Sequence, residues 1–139
     1  MKLSELVCNV SLCWKLREIG IYVDSYFQHV VGKACAGGGI PISMLGVFPK
    51  TKAQGSGHEH FPAPTSVELC NILLRADWEH VPTKEIKSVV HRIFDVECLK
   101  DLHIRELFMC ANDPDHLAEV IIELVTEGYV NAEHISDVK

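Results

Sequence analysis

Residues 33–41, KACAGGGIP, set a lysine, a thiol and three consecutive glycines side by side. Backbone N–H groups of a tight glycine turn can converge on an anion, and nearby lysines add charge. The P-loop and dinucleotide signatures require fixed glycine spacings between a strand and a helix. Here the run leads toward another apparent strand and has neither spacing, so both families are excluded. What remains is a generic anion nest of Gly37, Gly38 and Gly39 assisted by Lys33, Lys50 or Lys52. Glycine serves a plain turn equally freely, and a turn is the first reading of this run.

Two further groupings could carry chemistry. Cys35 could act as a nucleophile with His58 or His60 as its base. That needs a thiol pKa lowered by a cation or a helix N-terminus, and no helix directly follows Cys35. An inert thiol beside a turn is the expectation. In HEH, residues 58–60, His58 and His60 share a face if the segment is a strand, as zinc ligands can. Two ligands do not make a site, and no Cys-x-x-Cys pair completes one. The sequence therefore predicts no metal, no cofactor and no catalytic residues. The candidate ligand-binding set is Lys33, Gly37, Gly38, Gly39, Lys50, Lys52, His58 and His60. Asp113 and Asp115 read as helix-capping acids, while His91, His103 and His116 stand singly.

These residues need elements to position them. In NVSLCWKLREIG, Asn9 can cap a helix whose apolar stripe is Val10, Cys13 and Leu16, with Leu12 and Ile19 beside it, and Gly20 ends it. YFQHVV reads as a strand. Ile40, Ile42 and Met44 alternate as a second strand would, with Pro41 at its start or edge and a bulge or turn at Gly46. KTKAQGSGHEH is polar and reads as a loop joining a hairpin. Thr65 and Glu68 form a capping box ahead of Leu69, Ile72 and Leu73. Residues 83–110 are ambiguous: Ile86, Val89, Val90 and Ile93 fit a helix face, whereas VVHRIF and HIRELFMC fit strands. Asn112 or Asp113, followed by Pro114, opens a last helix with the stripe Leu117, Val120, Ile121, Leu124 and Val125, closed by Gly128. The polar residues 131–139 read as a loosely held tail.

Composition bounds the function. A chain of 139 residues suits one domain, expected over residues 1–130. Its 47% hydrophobic and 23% charged content is that of a globule with a core. The net charge of −6 disfavours general nucleic-acid binding. Charge is uneven, however. Ser25 to His58 contains no Asp or Glu, and its three lysines make it +3 on an otherwise acidic chain. The start, MKLSELVCNV, lacks the apolar run of a signal peptide, and the uncharged run from Lys33 to Lys50 is too short and broken to span a membrane. A cytoplasmic protein with six free cysteines is the expectation, Cys13 and Cys70 packed as small apolar groups.

The segments SLCWKLREIG…DSYFQHV, APTSVEL and LAEVIIELVTEGYV resemble, in content and order, a group of small uncharacterised phage and prophage proteins. The matched pieces cover about a third of the chain. The glycine run and the cysteines lie outside that pattern, and the tryptophan-rich middle strands of the group are missing here. The resemblance implies an α+β fold and tips residues 83–110 toward strands. Together these readings predict about three helices packed on a small, mainly antiparallel sheet. They predict a non-enzymatic phage or mobile-element accessory protein that binds a host or phage partner, with possible counter-defence and homo-oligomer roles. The alternatives are a binder that sequesters an anionic metabolite or signalling nucleotide, and a thiol- or metal-dependent enzyme.

Overall fold

The computed structural model describes residues 3–31, 44–55, 59–76, 83–94, 106, 108–109, 111 and 113–137. The chain opens with a short helix, α1 (Leu3–Leu6). Asn9 then caps α2 (Val10–Glu18), its side-chain oxygen accepting the Leu12 N–H at 2.9 Å. Gly20, at φ 90°, turns the chain out of the helix in a conformation that a Cβ would strain. Three strands follow: β1 (Phe27–Val31), β2 (Met44–Pro49) and β3 (Glu59–Pro62). They form an antiparallel sheet in the order β2-β1-β3. Val30 pairs with Gly46 but Val31 pairs with Met44, which leaves Leu45 as the extra residue. This is the irregularity expected at Gly46, whose φ of 133° only glycine adopts at ease.

The fold is α+β, as expected, and its sheet is antiparallel. Four long helices are present among the described residues, not three: α2, α4 (Ser66–Leu74), α5 (Thr83–Phe94) and α6 (Pro114–Thr126). They pack mainly on one another. α2, α4 and α5 all lie against α6, whose Leu117, Ala118, Val120, Ile121 and Leu124 are buried. The short helices α1 and α3 (Lys50–Gly55) are the ones that lean on the sheet. Phe61 of β3 carries the sheet into the helical core.

Three local expectations change. Residues 83–94 form α5, not strands, because Ile86, Val89 and Val90 recur at helical spacing and are buried against α6. Arg92 also pairs with Glu123 of α6. Glu106, Phe108 and Met109 are helical as well. The first half of the expected loop, residues 50–55, is α3, with Ala53 buried, and Glu59 and His60 belong to β3. Residues 131–137 are fastened, not loose. There, α7 (Ala132–Ile135) buries Ile135, Ser136 and Asp137 receive the backbone N–H groups of Tyr22 and Asp24, and Arg75 donates to the Ile135 carbonyl at 3.0 Å. Ile40 and Ile42 of the expected second strand lie outside the described residues.

Glu68 joins the two halves of the fold. Its carboxylate closes the predicted capping box by accepting the Thr65 N–H at 2.9 Å, and also accepts the Tyr26 N–H at 3.0 Å and the Ser25 hydroxyl at 2.8 Å. The carboxylate thus fixes both the start of α4 and the entry into β1. Thr65→Ala removes one cap and should cost about 1 kcal/mol. Glu68→Ala should cost clearly more, because it leaves donors of two segments without their acceptor. Urea unfolding compares them directly, and equal losses would show that the contacts to Ser25 and Tyr26 carry no stability. In the same assay Ile135→Ala should cost about 2–5 kcal/mol if residues 131–137 are as firmly docked as the burial of Ile135 implies.

Candidate functional site

A cavity of about 490 Å³ lies between α2, the turn that follows it, the start of α3 and strand β3. That volume is in the range of small-molecule sites. The stripe of α2 supplies Cys13 and Leu16, and the next residue, Arg17, reaches the rim. Ile21 and Val23, together with Phe61, make the apolar wall, while Gln28, Gln54, Lys50 and His60 bring polar groups to it. No Asp or Glu is among the lining residues. An acidic chain thus encloses a space bordered by two cations, an imidazole and two amides.

These groups are held in place by neighbours. Arg17 lies over the Trp14 ring, 5.6 Å from its centroid, and Trp14 meets Phe61 edge-on at 6.0 Å. Lys50 donates to Asp24 at 3.0 Å, and this partner raises the lysine's pKa above its ordinary value. The ammonium has three donors, so the pair leaves it able to meet a second acceptor. The His60 Nδ1–H donates to Gln28 Oε1 at 3.3 Å, and the amide of the buried Gln28 donates in turn to the Ser25 carbonyl at 3.4 Å.

Behind the wall stands a cluster of thiols and imidazole. Cys8 and Cys13 are buried, and Cys13 also borders the cavity. The Cys13 thiol donates to the Cys8 carbonyl at 3.4 Å. The same carbonyl accepts from Nε2 of the buried His29 at 2.7 Å. A carbonyl can only accept, so Nε2 carries a proton. Nδ1 of the same ring is buried and without a hydrogen-bond partner. The Cys13 pKa is lowered to about 7, first because the Cys8 thiol can donate to its thiolate and then through His29. Burial and the Asp115 carboxylate work against this. Cys8 moves the opposite way, strongly upward, because its proton is the one shared with Cys13. Asp115, at the start of α6, accepts the Asn9 N–H at 2.7 Å and so joins the starts of the two helices.

Of the residues singled out in the sequence, Lys50 and His60 meet at this cavity. Lys52 is exposed on α3 and does not border it. Lys33, Cys35, Gly37, Gly38, Gly39 and His58 lie outside the described residues. Among the described residues, no three His, Cys, Asp or Glu side chains are arranged to hold a metal ion. Sequence reasoning passed over Arg17, Gln28, His29 and Gln54, and took Cys13 as apolar packing only. The one local signal was an imidazole in the centre of an apolar strand. No protein-family model matches the chain, and no curated protein or solved structure matches it.

The cluster makes a titration prediction. Alkylation of Cys13 by iodoacetamide, mapped by mass spectrometry, should rise as pH passes through about 7, since the thiolate is the reactive form. Cys70, whose pKa burial raises, should react only at higher pH. His29→Phe should move the Cys13 midpoint upward, and an unchanged midpoint would remove the imidazole from the account.

Proposed function

We propose that this protein binds a small anionic molecule with an apolar body in the cavity bordered by Arg17, Lys50 and His60. The observation that carries this reading is the lining itself. Cations, amides and an imidazole face a space of about 490 Å³ that no carboxylate borders, in a chain of net charge −6. A carboxylate or phosphate would exchange water for the Arg17 and Lys50 donors, while Leu16, Ile21 and Phe61 would cover its apolar portion. The site needs no bond to be made or broken in the ligand, so a sequestering or sensing role fits it without catalysis.

Calorimetry against inorganic phosphate, nucleoside monophosphates and aromatic carboxylates tests this. The expected outcome is binding by one of the organic anions that Arg17→Ala and Lys50→Ala each weaken about tenfold or more, as loss of a charge-assisted contact does. Lys52→Ala should leave it unchanged. Equal weakening by Lys52→Ala would assign the effect to diffuse charge and not to the cavity.

A second reading is the phage-type accessory protein that acts on a macromolecular partner. Its support is a pair of exposed aromatics at the sheet: Tyr26, 66% exposed, immediately precedes β1, and Phe48, 37% exposed, is on β2 opposite Gln28. If no anion gives heat and Tyr26→Ser with Phe48→Ser abolishes capture of one host protein, this second reading replaces the first. Among the described residues no helix is long and apolar enough to cross a membrane.

A further inference from the structure

The cavity explains Arg17 and Lys50 but not the thiols behind it. Cys8 and Cys13 are both buried, and the Cys13 thiol donates to the Cys8 carbonyl at 3.4 Å. Beside them is an imidazole held by one nitrogen and unpartnered at the other. A buried polar nitrogen without a partner is costly unless it has work to do. The Cys13 thiol and the His29 Nε2–H share the Cys8 carbonyl as acceptor, which sets the imidazole beside the thiol. Cys13 also borders the cavity, the side from which a molecule the size of peroxide would approach.

From this geometry we propose that Cys13 is a peroxide-reactive thiol and that Cys8 resolves its oxidised form as an intramolecular disulfide. In the first step the Cys13 thiolate attacks one oxygen of hydrogen peroxide. The S–O bond forms, the O–O bond breaks, and the departing hydroxide takes a proton to leave as water. In the second step the Cys8 sulfur attacks the sulfenic sulfur of Cys13. The S–S bond forms, the S–O bond breaks, and hydroxide leaves with the Cys8 proton as a second water. Two thiols and one peroxide thus become one disulfide and two waters, a two-electron oxidation. The His29 imidazole, which shares the Cys8 carbonyl with the Cys13 thiol, stands beside the thiolate and favours it. Asp115 is the opposing charge, because its carboxylate disfavours thiolate at both cysteines. The proposal stands on the thiol cluster and does not require the anion-binding reading.

Both cysteines fall in one tryptic peptide, residues 3–15, between Lys2 and Lys15. The disulfide therefore appears as the loss of two hydrogens from that peptide, recovered on reduction. The intact protein is treated with hydrogen peroxide under native conditions and digested at intervals. The expected result is this loss at a rate about tenfold or more above the oxidation of Cys70, whose thiolate is disfavoured by burial. In Cys8→Ser, dimedone should label the unresolved sulfenic acid at Cys13, and in Cys13→Ser both the loss and the label should vanish. His29→Gln should slow the first step while leaving circular dichroism unchanged. The wild-type peptide decides the matter even if a variant fails to fold. A peptide that gains oxygen on Trp14 but never loses two hydrogens overturns the proposal. So does a Cys13 rate no faster than that of Cys70, or peroxide linkage of Cys13 to a cysteine other than Cys8.

Discussion

The 2.7 Å hydrogen bond from His29 Nε2 to the Cys8 carbonyl is the contact on which the site depends. It spans the boundary between the sheet and the helices, from the middle strand to the residue just before the cap of α2. A backbone carbonyl buried at that boundary needs a donor, and the strand supplies one. The bond has two consequences. It sets the register of β1 against α2, and it brings the imidazole to the same carbonyl that the Cys13 thiol uses. Packing and reactivity therefore come from the same contact.

The rest of the architecture holds that contact still. Glu68 collects donors from the start of α4, from Ser25 and from Tyr26, so the strand entering His29 cannot slide against the helix that follows β3. Asp115 performs the matching task between the starts of α6 and α2. Residues 131–137 close over the turn after α2 through Tyr22 and Asp24, and this turn is one wall of the cavity. Each of these is a carboxylate or hydroxyl oxygen that accepts from at least one donor more than forty residues away in the chain. They contribute less through their individual strength than through their agreement on one arrangement.

Local signals were legible where the cause is local. Asn9, Thr65 with Glu68, and Asp113 with Pro114 cap helices because a side-chain oxygen satisfies N–H groups two or three residues away. Gly20, Gly46 and Gly128 stand at positive φ, where other residues are strained. The misreadings have physical reasons as well. The stripe of α5 was visible, yet VVHRIF is equally good strand sequence, and only burial against α6 decides between them. Lys50–Gly55 is polar throughout apart from Ala53, so its helix follows from the sheet it rests on and not from its own pattern. Residues 131–137 looked solvated because their partners, Tyr22, Asp24 and Arg75, are remote in sequence.

By itself the sequence determined the starts of α2, α4 and α6, the apolar character of β1 and the uneven charge, because each depends on neighbours within a turn or a strand. Only the tertiary structure decided that Lys50 and His60 share a cavity with Arg17, and that Cys13, to all appearance a packing residue, lies beside a buried imidazole. The reason is distance along the chain. A thiol at position 13 takes its electrostatic surroundings from residues 8, 29 and 115, and nothing in the residues adjoining it records that these four will meet.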